Sequence, residues 1–178
     1  MPAAGVVPVL STERYPVEGS TVSEISRSLR AQAQQTRGFS GYHTSTLRYT
    51  YRLQDSAGRC RFSDVRIEVV SHTRVPEWRR PSDAPAELVA QWDAFVTALD
   101  DHERSHQQIA FDIAGQLARR LRELTEMSCS QLRSEGDREA SRLMALHGER
   151  QRQFDADTRH GATTGATWPP RPAAAREP

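Results

Sequence analysis

Residues 85–124 read PAELVAQWDAFVTALDDHERSHQQIAFDIAGQLARRLREL. After Pro85 there is no further proline, and the one glycine is Gly115. A stripe runs Leu88, Trp92, Phe95, Leu99, His102, His106, Ile109, Ile113, Leu117, Leu121 and Leu124 in steps of three or four. That spacing predicts a long core-facing helix. Asp83 suits its N-cap and Pro85 its first turn. Two positions on the stripe, His102 and His106, are imidazoles rather than apolar side chains.

With Glu103 between them the pair reads H-E-x-x-H. Residues four apart share a helix face, with Cβ atoms about 6 Å apart. Two imidazoles so placed can reach one Zn²⁺, and the neighbouring carboxylate can serve as general base. Burying two imidazoles without partners costs a few kcal/mol, roughly, and a metal supplies a partner to both at once. The competing reading is a buried hydrogen-bonded His pair. Arg104 is charged where strict zinc-peptidase versions carry an uncharged residue. Asp100 and Asp101, just before the motif, suit either second contacts to the imidazoles or a solvated face.

Outward toward the C-terminus, Met127-Ser128 reads as a turn. A second helix then runs from Cys129 to Asp157, with Leu132, Ala140, Leu143, Leu146 or His147, and Phe154 as its apolar stripe. Toward the N-terminus the period is two. Leu47, Tyr49, Tyr51 and Leu53 alternate with polar residues, and after the turn Asp55-Ser56-Ala57-Gly58 so do Val65, Ile67, Val69 and Val75. The two runs form an antiparallel hairpin ended by Val75-Pro76. Before it, Thr21 and Glu24 have capping-box spacing for a helix that buries Ile25 and Leu29 and fades near Gln35. Residues 1–14 read as a flexible arm, 15–162 as a single domain and 163–178 as a disordered tail. The fold class is α+β: an N-terminal helix and a β-hairpin sheet packed on a long helical hairpin that carries H-E-x-x-H.

Composition narrows the function. Net charge is +1, which gives no electrostatic preference for nucleic acid. No stretch is apolar over the roughly 18 residues of a membrane span. Lys and Asn are absent, and without Asn there is no N-glycosylation site. Gly5–Leu10 is too short, and lacks the basic flank, for a signal peptide, so the chain is cytoplasmic or the processed form of an exported protein. Cys60 and Cys129 form no C-x-x-C motif; they either pair or are two buried thiols.

A catalytic zinc site needs a third protein ligand and an open position. The extended H-E-x-x-H-x-x-G-x-x-H form is excluded by Ile109 and Asp112. If the helices turn back near Met127, the motif faces positions 147–152, which brings His147 near. His160 lies past the helix end and serves only if the chain folds back.

The segment Phe154-Asp155-Ala156-Asp157-Thr158-Arg159-His160-Gly161 resembles the Y-D-x-x-T-x-H-G segment of a bacterial family described as predicted secreted zinc-dependent proteases, otherwise a domain of unknown function. Tyr15-Pro16-Val17-x-Gly19, the hairpin with Cys60, Trp92, the H-E-x-x-H motif, Cys129, and the closing Gly165-Ala166 with Pro169 fall in the same order. The resemblance therefore spans about residues 15–169. It implies His102, His106 and His160 as zinc ligands, Glu103 as base, a peptide or protein substrate, a Cys60–Cys129 disulfide and a periplasmic or secreted location. Phe154 departs from the family's Tyr, so a phenolic role is lost there and a packing role survives. The expected function is thus zinc-dependent peptide hydrolysis. His147 is the alternative third ligand, and His147, His43 and Tyr42 are candidates for oxyanion stabilisation. The competing function is a non-catalytic metal-binding module of the cell envelope.

Overall fold

The computed structural model describes residues 3–33, 38–125 and 127–170. Six elements follow in chain order: β1 (Val6–Val17), α1 (Val22–Gln32), β2 (Tyr42–Ser56), β3 (Arg59–Trp78), α2 (Ala86–Glu123) and α3 (Cys129–Thr158). The strands form one sheet in the order β1-β3-β2. The class is α+β, as the two periodicities predict.

Local chemistry explains the boundaries. The hairpin turn places Ala57 and Gly58 at positive φ, and the Asp55 carboxylate accepts the Gly58 N–H at 2.9 Å. At α1, Thr21 Oγ1 accepts the Glu24 N–H at 3.3 Å. Glu24 reaches back to the N–H of Ser20 at 2.8 Å, so the capping box closes one residue earlier than the spacing alone suggests. The Ser20 N–H and hydroxyl, both donating to it, hold the Glu24 carboxyl below its ordinary pKa. The fading of α1 near Gln35 lies outside the described residues.

The strand β1, Val6–Val17, takes in most of residues 1–14, read from sequence as an arm. The middle of this edge strand is exposed on both faces, so it shows no alternation; backbone hydrogen bonds hold it. The Ile67 N–H donates to Gly5 O and the Arg79 N–H to Val17 O. The pairing advances in the same direction along both chains, so β1 runs parallel to β3 and the sheet is mixed. The crossover that a parallel pair requires is supplied by α1 and β2.

Pro76 does not end β3, which continues to Trp78. His43, at the start of β2, already meets Thr73 (Nδ1 to Oγ1, 3.0 Å), so Pro76 lies beyond β2 and its missing donor leaves no rung unmade there. Within residues 163–170, Ala166 is buried, and the Trp168 ring lies 5.5 Å from Trp92 and 5.6 Å from Phe95. Residues 171–178 lie outside the described residues, as do residues 1 and 2 of the arm.

The chain divides into two compact units. The first comprises Met1–Ser11, Thr44–Ser71 and His106–Gln153. Its core gathers Phe62, Val65, Ile67 and Val69 of β3 with Ile113, Leu117 and Leu121 of α2 and Leu132 and Leu143 of α3. Cys60 and Cys129 are disulfide-bonded, with Cα atoms 5.0 Å apart. Beside them the Cys60 N–H donates to Met127 O at 2.8 Å. The second unit comprises Thr12–His43, His72–Ser105 and Phe154–Pro178. Its core is built from Tyr15, Val17, Ile25, Leu29, Trp78, Trp92, Phe95 and Leu99. Each long element contributes residues to both units, so a hydrophobic pattern that runs on unbroken along α2 conceals the division.

Candidate metal centre

His102, Glu103 and His106 are 7%, 5% and 8% exposed. Neighbours on a helix point about 100° apart, so α2 is covered over a wide arc where His102 and Glu103 stand side by side. Arg104, the charged residue inside the motif, points outward and pairs with Asp101 at 3.3 Å. It therefore leaves the buried face of the motif uncharged by a cation.

His102 meets α3. Its Nε2 lies 3.4 Å from Asp155 Oδ1, and its ring stacks on Phe154 with centroids 4.9 Å apart. The same Asp155 oxygen lies 3.6 Å from His160 Nδ1. His160 gets there because α3 ends in three consecutive left-handed residues, Arg159, His160 and Gly161 at φ 49°, 52° and 81°. Such conformations cost of order 1 kcal/mol or more for a non-glycine residue. The reversal is held by the His160 N–H donating to Asp155 O at 2.8 Å and the Gly161 N–H donating to Thr158 Oγ1 at 3.3 Å. Phe39 covers the His160 ring at 4.6 Å. The fold-back that His160 requires is thus present.

One turn along the unbroken α2, His106 meets Gln151, four residues before Asp155 on the unbroken α3. His102 and Asp155 each offer a ligand atom, and His106 stands one helical turn from His102 on α2. A tetrahedral ion with bonds of 2.0–2.1 Å separates its ligand atoms by about 3.3 Å. The 3.4 and 3.6 Å contacts of Asp155 are close to that edge length. Two imidazoles and a carboxylate are a donor set that suits Zn²⁺.

Glu103 is packed under Gly41. A Cβ at that position would run into Glu103 Oε1 and stand 2.7 Å from Leu99 Cδ1. Burial, with Asp155 and Asp100 adding repulsion, pushes the Glu103 carboxyl up to about 8. A divalent cation at the His102–Asp155 position would offset that repulsion and favour the carboxylate.

His147 falls elsewhere. Its Nε2 lies 3.1 Å from Ser45 Oγ and 3.0 Å from Gln151 Nε2, beside the partner of His106 rather than among the donor atoms. Burial lowers its pKa, which favours the neutral ring. His43 is engaged with Thr73. Asp155 and Gln151 are the residues sequence reasoning left unassigned. For Asp155 a signal existed, since it stands inside the quoted Phe154–Gly161 segment; Gln151 lies among the positions 147–152 expected opposite the motif.

Beside His102 a groove of about 660 Å³ opens in the second unit. It is lined by Ala94, Ala98, Asp101, His102, Phe154 and Thr164, among others.

A family profile described as a bacterial protein of unknown function (DUF922) matches residues 12–161. No curated protein matches the chain, and no solved structure does.

Proposed function

The chain belongs to the bacterial family DUF922, and from that premise we propose that it is a zinc-dependent peptidase: His102, His106 and Asp155 hold the ion and Glu103 is the general base. The carrying observation is a pair of buried imidazoles one turn apart on α2, the first of them against a carboxylate of α3. The scaffold is read as a helical hairpin, α2 and α3, presenting its donors inward.

When bound, Zn²⁺ supplies Lewis acidity toward a carbonyl oxygen and lowers the pKa of a water. Glu103, held under Gly41, takes the proton from the attacking water and returns it to the leaving amine. The groove beside His102 receives the peptide, with Phe154 fixing the His102 ring from one side. His160, half-exposed and against Asp155, would donate to the oxygen of the scissile carbonyl. The disulfide suits an oxidising compartment, so the site of action is read as periplasmic or extracellular.

A second reading has its own observation. Asp155 lies within 3.6 Å of both His102 and His160, so His160 could complete a four-ligand shell, which would make the centre structural. Elemental analysis of protein purified without added zinc, paired with hydrolysis of a peptide panel, separates the two. We expect zinc in the wild type, its loss in Asp155→Ala and its retention in His160→Ala. Glu103→Gln should keep zinc and lose about 10²-fold or more in turnover. Zinc lost in both the Asp155 and His160 variants, with no hydrolysis by wild type, would establish the closed centre. A wild type without zinc would sink both readings.

A further inference from the structure

We propose that Gln151 is a positioning residue that fixes the tautomer of His106 and so commits its Nε2 to the ion, an inference that rests on the zinc reading above. Gln151 Nε2 lies 3.0 Å from His106 O, and a carbonyl oxygen only accepts. The amide nitrogen of Gln151 must therefore be the atom on that side, and its oxygen the atom that faces the ring. Gln151 Oε1 lies 2.5 Å from His106 Nδ1. An amide oxygen also only accepts, so Nδ1 carries the hydrogen and donates it. That places the lone pair of the neutral ring on Nε2, the atom that would bind a cation. A hydrogen bond of this kind to the far nitrogen orients a metal-binding imidazole and raises its basicity.

The amide is itself oriented. Its second N–H points at His147 Nε2 and Ser45 Oγ, 3.0 and 3.3 Å away. Ser45 Oγ lies 3.1 Å from His147 Nε2 and can donate to it. Burial favours the neutral form of His147, in which that nitrogen can accept. Each donor in this cluster thus faces an acceptor, and flipping the Gln151 amide would set its oxygen against two acceptors, His106 O and His147 Nε2. His147, expected from sequence as an alternative ligand, has the role of holding Gln151.

Gln151→Met keeps the length of the side chain and removes both polar atoms, whereas Gln151→Glu keeps an acceptor for the Nδ1 hydrogen. Zinc affinity would be measured by competition with a chromophoric chelator, and the His106 tautomer by ¹⁵N NMR of metal-free protein. We expect the hydrogen on Nδ1 in the wild type, about 10- to 100-fold weaker zinc binding in Gln151→Met, and substantial rescue in Gln151→Glu. Gln151→Met binding zinc as tightly as wild type, or a wild-type His106 protonated on Nε2, overturns the inference while the zinc reading stands. A wild type that binds no zinc overturns the zinc reading and this inference together. The tautomer readout does not require a folded variant, so instability of Gln151→Met leaves a decisive measurement.

Discussion

Gly41 shows how closely one position controls the candidate site. It is buried, and any side chain there meets Glu103 and Leu99. Gly41→Ala should therefore cost about 1–3 kcal/mol through overpacking and displace the Glu103 carboxylate. Thermal denaturation should record the first effect. The second should appear as reduced peptide hydrolysis with zinc content unchanged; a variant with wild-type stability and turnover would contradict the packing argument. At this scale the helix was legible and its partners were not. His102, Glu103 and His106 declare themselves because helical spacing is a local rule. Gly41, Asp155 and Gln151 reach the motif from distant parts of the chain, and no local spacing connects them to it.

Among elements, α2 and α3 are tied in the first unit by Glu139. Arg120 of α2 and Arg142 of α3 both donate to its carboxylate, at 3.1 and 2.7 Å. The Arg142 hydrogen bond is the largest of the effects that hold the Glu139 carboxyl down at about 2. A depressed folded-state pKa contributes stability above the unfolded value, near 4.5 here, which is lost as pH falls toward 2. The wild type should thus exceed Glu139→Gln in melting temperature at pH 7, and the difference should shrink between about pH 4.5 and 2. Equal melting temperatures at pH 7 would show that the clasp contributes nothing. The elements themselves were largely readable, α2 and α3 to within a few residues, because long periodic runs override local ambiguity. β1 was not, since an edge strand exposed on both faces lacks the alternation that marks a strand.

For the whole molecule, the Cys60–Cys129 bond joins positions 69 residues apart, across all of α2. A loop of this size gives a chain-entropy contribution of about 4 kcal/mol. Cys129→Ser should lower unfolding free energy by about 2–5 kcal/mol, and reduction of the wild type should reproduce the loss. Denaturant titrations with and without reductant would check this; coincident curves would refute it.

By itself the sequence determined the α+β class, the long helix and the presence on it of two imidazoles and a carboxylate, because periodicity and i,i+4 spacing are properties of neighbouring residues. Only the tertiary structure decided that β1 is parallel to β3, that the continuous stripe of α2 serves two cores, and that Asp155 and Gln151 stand against the two histidines. Those outcomes depend on where the chain turns back on itself. At the end of α3 that return is set by three left-handed residues, two of them not glycine, a conformation that packing must impose because their local preference opposes it.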